Sequence, residues 1–208
     1  FGALGTTDGN QYGVLDDSSF TRFDGYRDEF GNGWSTSLDI YLDTSWASGT
    51  GFDWTVASSN QDGNHLRDFI FHVGQTDDGL LVSGSNNTDG VFNDYLLNGP
   101  NVENYTVGDS GWFTFEHVYY DLFGSLAVDM NLIDALGNTV FSTTRNNPAD
   151  SIDTVVGGNR YGWMIFNTVG DLAIDNQRLS LTAKDVPEPA ALAFILLGAG
   201  IVLRRKMQ

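Results

Sequence analysis

From Trp34 the chain alternates side chains with a period of two: Trp34, Thr36, Leu38, Ile40 and Leu42 stand against Ser35, Ser37, Asp39, Tyr41 and Asp43. Successive side chains of an extended strand point to opposite faces, so this pattern puts one set in a core and the other in water. Alternating or apolar runs recur at 52–58, 67–73, 80–85, 111–120, 125–134, 139–143, 161–168 and 172–181. Turn-formers separate them, among them Asp62-Gly63-Asn64, Asp78-Gly79, Phe123-Gly124-Ser125, Leu136-Gly137-Asn138 and Gly157-Gly158-Asn159. Before residue 186 no stretch of a dozen residues keeps a helical period. The expected body is therefore all-β, an antiparallel β-sandwich or barrel of roughly ten strands or more. No repeat of constant period is visible, which argues against propellers and solenoids. In the last run Leu172 and Ile174 belong to one face and Leu179 and Leu181 to the other, so a bulge is expected near Asp175-Asn176. Residues 1–33 are rich in loop-formers with scattered aromatics and read as turns with one or two short strands.

The end of the chain is built differently. Val186-Pro187-Glu188-Pro189 is a stiff, extended spacer, since its prolines fix φ and remove backbone donors. Residues 190–203 are uncharged and apolar, and Arg204, Arg205 and Lys206 follow. As a helix, those 14 residues would reach about 21 Å, short of the roughly 30 Å hydrocarbon core. Such a helix spans only with local bilayer thinning or with its basic flank reaching the headgroups. The basic end is a positive-inside signal that leaves everything before Val186 on the far side of the membrane. A terminal core helix is the competing reading. The run shows no polar face, however, and it lies between a Pro-Glu-Pro element and a basic cluster. The expected organisation is a sandwich domain at 1–185 and a short C-terminal transmembrane helix within a separate segment, 186–208.

This order of parts resembles the PEP-CTERM sorting signal of Gram-negative bacteria. Pro187, Glu188 and Pro189 carry the motif (186–189), 190–203 the apolar helix, and Arg204 and Arg205 the basic end (204–208). The resemblance implies recognition and removal of the tail by an exosortase, a membrane-embedded cysteine protease. It also implies transient anchoring in the inner membrane, then delivery to the cell surface or the exopolysaccharide matrix. In the body, Gly111-Trp112-Phe113-Thr114-Phe115, the hairpin into Leu126-Ala127-Val128-Asp129-Met130, the turn Leu136-Gly137-Asn138 and the closing Leu172-Ala173-Ile174-Asp175-Asn176 resemble concanavalin A-like jelly rolls of the laminin-G and lectin kind. That likeness implies a fold and no activity.

Export fits the rest of the composition. The chain opens on Phe1 with neither an initiator Met nor a leader, which is expected if a signal peptide has been removed. It has no cysteine, so packing, or packing with metal, must hold the body. Apart from Glu188, Arg204, Arg205 and Lys206, the chain carries 26 acids against 7 bases. A surface this acidic repels phosphate backbones and makes nucleic acid an unsuitable partner, while divalent cations suit it.

Candidate chemistry is sparse. The body has three glutamates, Glu29, Glu103 and Glu116, none with a carboxylate two residues away, so the paired strand carboxylates of jelly-roll glycanases are missing. Asp129 and Asn131 share that spacing, but an amide is neither acid nor base. The three histidines, His65, His72 and His117, have no Gly-x-Ser-x-Gly elbow to serve. Asp68 and His72 share a strand face but stand about 13 Å apart, too far to touch. Calcium is the expected cofactor if any, through Asn60, Asp62 and Asn64 in a Gly-containing loop, or through Asp171 and Asp175; a plain Asx turn is the alternative. Sugar binding needs flat aromatic faces beside amides and carboxylates. Trp46, in a polar stretch, is expected to be the exposed tryptophan, with Asn86 and Asn87 as amide partners, while Trp34, Trp54, Trp112 and Trp163 are expected in the core.

Together these features describe an exported, exosortase-processed, non-catalytic sandwich that binds extracellular polysaccharide or plays a structural role. The alternative is a glycan-active hydrolase or lyase on a jelly-roll fold.

Overall fold

The computed structural model describes residues 5–7, 20–21, 33–59, 65–86, 97, 99, 102–151 and 162–180. Within them lie β1 (Gly5–Thr7), β2 (Phe20–Thr21), β3 (Gly33–Leu42), β4 (Gly51–Ser59), β5 (His65–Thr76), β6 (Gly79–Ser85), β7 (Asn104–Val107), β8 (Gly111–Leu122), β9 (Ser125–Ile133), β10 (Thr139–Ser151), β11 (Gly162–Asn167) and β12 (Leu172–Ser180). They form two six-stranded sheets, β1-β12-β3-β8-β9-β10 and β2-β11-β4-β5-β6-β7. All their pairings are antiparallel. The body is the expected all-β sandwich, with the chain crossing between sheets in the jelly-roll manner. The tail 186–208, the loop 60–64 and Asn87 lie outside the described residues. Among the described residues no helix is long and apolar enough to cross a membrane.

Each alternating run of the sequence is a strand. In β3 the burial follows the period-two pattern: Trp34, Thr36, Leu38, Ile40 and Leu42 are all buried, while Ser37, Asp39 and Tyr41 are half-exposed. From β8, Phe113, Phe115, His117 and Tyr119 face the same core. Phe115 meets Phe71 and Phe52 of the other sheet, with ring centroids 5.1 and 6.0 Å apart. These aromatic contacts and the burial behind them supply most of the cohesion between the sheets.

The second sheet differs from the first because it is buried on both faces. Phe52, Trp54 and Val56 of β4 face the core, but Asp53 and Thr55 between them are equally inaccessible; Phe69 and Phe71 alternate with buried Ile70 and His72. The first sheet keeps the in/out alternation of a sheet solvated on one side over most of its outer face, where only Ser35, Val118 and Ala127 among the described side chains of its central strands are buried as well.

The bulge expected in the last strand is present. The pairing of β12 with β3 skips between Asp175 and Arg178, and Asn176 adopts φ 51°. Left-handed backbone is tolerated by asparagine better than by most residues. A second irregularity, between Asn146 and Ser151 of β10, brackets Pro148. It sits on an edge strand, where a proline costs no ladder bond. Two polar clips tie the sheets together: Arg67 of β5 makes a bidentate pair with Asp150 of β10 (2.8 and 2.6 Å), and Arg145 donates twice to the Gly84 carbonyl (3.1 and 2.7 Å).

Candidate functional site

The solvated face of the first sheet carries a row of side chains across four strands. Cross-strand register places Asp175 of β12 opposite Asp39 of β3, Asp39 opposite Thr114 of β8, and Thr114 opposite Ile133 of β9. At the next pair on the same face, two residues along, Tyr41 stands opposite Trp112. Their rings meet edge to face, with centroids 5.7 Å apart and planes at 77°. Beyond Ile133 the β9–β10 turn adds Asp134, Ala135 and Gly137, and at the other end the bulge adds Asn176. All of these but Tyr41, which braces Trp112 from beside it, line a cleft of about 420 Å³, within the range of small-ligand sites.

Hydrogen bonds fix the polar rim. Thr114 Oγ1 donates to Asp39 Oδ1 at 2.5 Å, and Asn176 Nδ2 donates to Asp39 Oδ2 at 2.8 Å. The Asn176 backbone N–H donates to Asp175 Oδ1 at 2.7 Å. The left-handed backbone of Asn176 is thus held by its own side chain and by its neighbour's carboxylate, a local strain offset by two charge-assisted bonds. Asp134 is committed to the turn. Its Oδ1 accepts the backbone N–H groups of Leu136 (2.9 Å) and Asn138 (2.8 Å), and its Oδ2 accepts Asn138 Nδ2 (2.9 Å). The Asn138 side chain first, then these backbone donors, hold the Asp134 carboxyl below the usual range. The cleft therefore has a half-buried indole on one side and preset carboxylate and amide groups on the other. The side chains that line it include no Lys, Arg or His.

The same face continues as a polar network. Asn131 Nδ2 donates to Glu116 Oε2 (2.9 Å) and Ser142 Oγ to Asn131 Oδ1 (2.7 Å). Asp129 accepts from Tyr120 OH (3.1 Å) and Thr144 Oγ1 (2.6 Å). Partial burial first, with the Asp129 charge adding to it, pushes the Tyr120 hydroxyl up to about 12, so it remains a donor.

The residues singled out in the sequence are distributed differently from expectation. Trp46 is half-buried rather than open: it leans edge-on against Phe52, centroids 6.1 Å apart, and packs on the core. Trp112, expected in the core, stands on the solvated face because its register is one residue out of step with Phe113 and Phe115. Trp34 and Trp54 are in the core as expected. Neither Trp46 nor Asn86, which is half-buried just after β6, lines the cleft. Asp175 does, but Asp171 is exposed at the foot of β12, four strand residues or about 13 Å away. The structure does not bring those two together, and among the described residues no group of three His, Asp or Glu side chains could hold a metal. Asn60, Asp62, Asn64 and Asn87 lie outside the described residues, as do Pro187, Glu188, Pro189, Arg204 and Arg205. Asp39 and Thr114 gave no sign in the sequence, and Asn176 showed there only as part of the expected bulge and beside Asp175, because what joins the three is pairing between strands far apart in the chain.

No protein-family model matches the chain, and no curated protein matches it in sequence. Among solved structures it is similar to the CBM2 module of the evolved Dit of Lactobacillus casei BL23 phage J-1, at 12% identity over 86% of this chain and 66% of that one, TM-score 0.41. It is also similar to a fructofuranosidase from Schwanniomyces occidentalis (7% identity, 84% and 33%, TM-score 0.40) and to the family 7 alginate lyase A1-II′ (15% identity, 90% and 79%, TM-score 0.42). The chain spans about two thirds of the first of these and a third of the second. Likeness at these scores assigns no function, and the chain's own geometry supports a cleft on an antiparallel sandwich in which an indole faces carboxylates and an amide.

Proposed function

We propose that the protein is an exported, exosortase-processed surface or matrix protein whose sandwich binds extracellular polysaccharide through the cleft beside Trp112. The observation that carries this reading is the pairing of a half-buried indole with preset acceptors and an amide donor at Asp39, Asp175 and Asn176. A pyranose offers an apolar face and a polar rim, and such a site meets both. Many weak contacts of this kind add along a repeating polymer. The Pro187-Glu188-Pro189 motif, the apolar 190–203 run and the Arg204-Arg205 end support delivery to the outside through transient anchoring in the inner membrane of a Gram-negative cell. Calcium held by Asn60, Asp62 and Asn64 belongs to the same reading, and its removal by a chelator would lower the melting temperature of the protein.

One observation favours a second reading, a glycan-active enzyme: Asp39 and Asp175 stand directly opposite on neighbouring strands, the kind of carboxylate pair that glycoside hydrolysis uses. Against it, both oxygens of Asp39 already accept bonds from Thr114 and Asn176, which suits holding a ligand better than exchanging protons with one.

The test is the full chain in mild detergent on an array of immobilised bacterial polysaccharides, with reducing-sugar release measured on the same ligands. Binding without release is the expected result. Release would establish the second reading, and binding to none would reduce the sandwich to a structural part. Mass spectrometry of the surface-associated protein tests the sorting reading independently: a C-terminus near Pro187 is expected, and an intact Gln208 end in cytoplasmic fractions would refute it.

A further inference from the structure

On the outer side of the second sheet three side chains form a continuous hydrogen-bonded chain. Asp53 of β4 and His72 of β5 stand directly opposite each other, and His72 is opposite Ser83 of β6, so that Ser85 lies on the same face one diagonal step away. Asp53 Oδ1 is 2.8 Å from His72 Nδ1, and His72 Nε2 is 2.8 Å from Ser85 Oγ. Asp53 and His72 are 0% and 1% exposed, whereas Ser85 is half-buried at the last position of its strand.

The order of atoms has chemical meaning. A carboxylate on Nδ1 places the imidazole proton there, which leaves the Nε2 lone pair to accept from the serine hydroxyl; that is the arrangement by which a histidine takes a proton from a nucleophile. A further feature sets this chain apart from an ordinary buried polar pair: the backbone leading into Ser85 is held in place. The Gly84 carbonyl accepts two bonds from Arg145, and a Cβ at Gly84 would come within 3.0 Å of Thr143 and 3.1 Å of Met130. The serine is thus held half-buried at the end of a fixed strand, with its hydroxyl towards a shielded base.

We propose that Ser85 is the nucleophile of a second, acyl-transferring site on this protein, with His72 as its general base and Asp53 as the positioning residue that fixes the His72 tautomer. The half-buried setting of Ser85 suits esters of short acyl groups. Ser85 Oγ attacks the ester carbonyl carbon as its proton passes to His72 Nε2. The bond to the alcohol oxygen then breaks and that oxygen takes the proton from His72. Water repeats the sequence on the acyl-serine, giving the acid and restoring Ser85, so that one ester and one water yield one acid and one alcohol. The proposal is independent of the polysaccharide cleft, which lies on the other sheet.

The experiment treats the full chain with a fluorophosphonate probe and maps the adduct by peptide mass spectrometry, taking the exposed Ser110 as an internal reference, and measures p-nitrophenyl acetate hydrolysis alongside. The expected result is an adduct on Ser85 formed at least about 100-fold faster than on Ser110, in keeping with general-base activation. Ester hydrolysis is expected to be lost in Ser85→Ala, and the Asp53→Asn variant to retain the fold but show an altered pH profile of labelling. The wild-type map stands even if a variant fails to fold: absence of a Ser85 adduct, or labelling no faster than at Ser110, overturns the proposal.

Discussion

Trp34 and Tyr119 face each other across β3 and β8 with ring centroids 4.0 Å apart and planes only 2° from parallel. The stack sits on the first sheet's inner face near one end of its two central strands, and from it the Tyr119 hydroxyl crosses the core to donate to the Val56 carbonyl at 2.8 Å. Burial first, with the Asp68 charge adding to it, pushes the Tyr119 hydroxyl well up, so it remains a donor at any ordinary pH.

Tyr119→Phe keeps the stack and removes one of the bonds that join the sheets. The expected loss is about 1–3 kcal/mol, the cost of leaving a buried acceptor short of its partner. Trp34→Ala removes the stack and leaves a cavity, and is expected to cost about 3–5 kcal/mol. Urea unfolding of the two variants measures both, and equal losses would contradict this division.

His117 is wholly buried, and desolvation, which outweighs its bond to the Phe69 carbonyl (3.2 Å), holds its pKa down to about 3 from 6.5. Between those values the unfolded chain binds a proton that the folded chain does not. Its contribution to stability is therefore complete above pH 6.5 and falls as pH drops through that window, by up to about 1.4 kcal/mol per pH unit. His117→Gln should cost stability at neutral pH and flatten the dependence between pH 6 and 4 by about one proton. An unchanged slope in chemical denaturation across that range would contradict the assignment.

Phe123 is 90% exposed at the tip of the β8–β9 hairpin, and both it and Gly124 have positive φ (54° and 86°). A two-residue turn of this kind favours Asn-Gly. Phe123→Asn removes an exposed ring and relieves left-handed strain, so stability is expected to rise by about 0.5–1 kcal/mol. A fall in melting temperature would show that the ring makes contacts that matter.

The fold was legible because period-two alternation is a local property: every alternating run is a strand, and the faces of Leu172–Ile174 and Leu179–Leu181 were enough to locate the bulge. Short or irregular strands were less visible. β7 has only four residues, and the continuation of β10 past Thr143 runs through Arg145, Asn146, Asn147 and Pro148, which look like a loop. The sites were largely hidden, since each depends on which strands become neighbours. His72 looked isolated because Asp68, on its own strand, is out of reach; its carboxylate partner is Asp53, nineteen residues earlier, across the sheet. A tryptophan at a strand position is expected in the core by default, but the parity of Trp112 with Thr114 and Glu116 places it on the solvated face.

The most direct test of the central claim is isothermal titration calorimetry of the wild type, Trp112→Ala and Trp46→Ala with an oligosaccharide selected from the array. Affinity is predicted to fall at least about tenfold, or 1.4 kcal/mol, in Trp112→Ala and to be unchanged in Trp46→Ala. Wild-type affinity in Trp112→Ala, or a loss confined to Trp46→Ala, would contradict the placement of the binding site in this cleft.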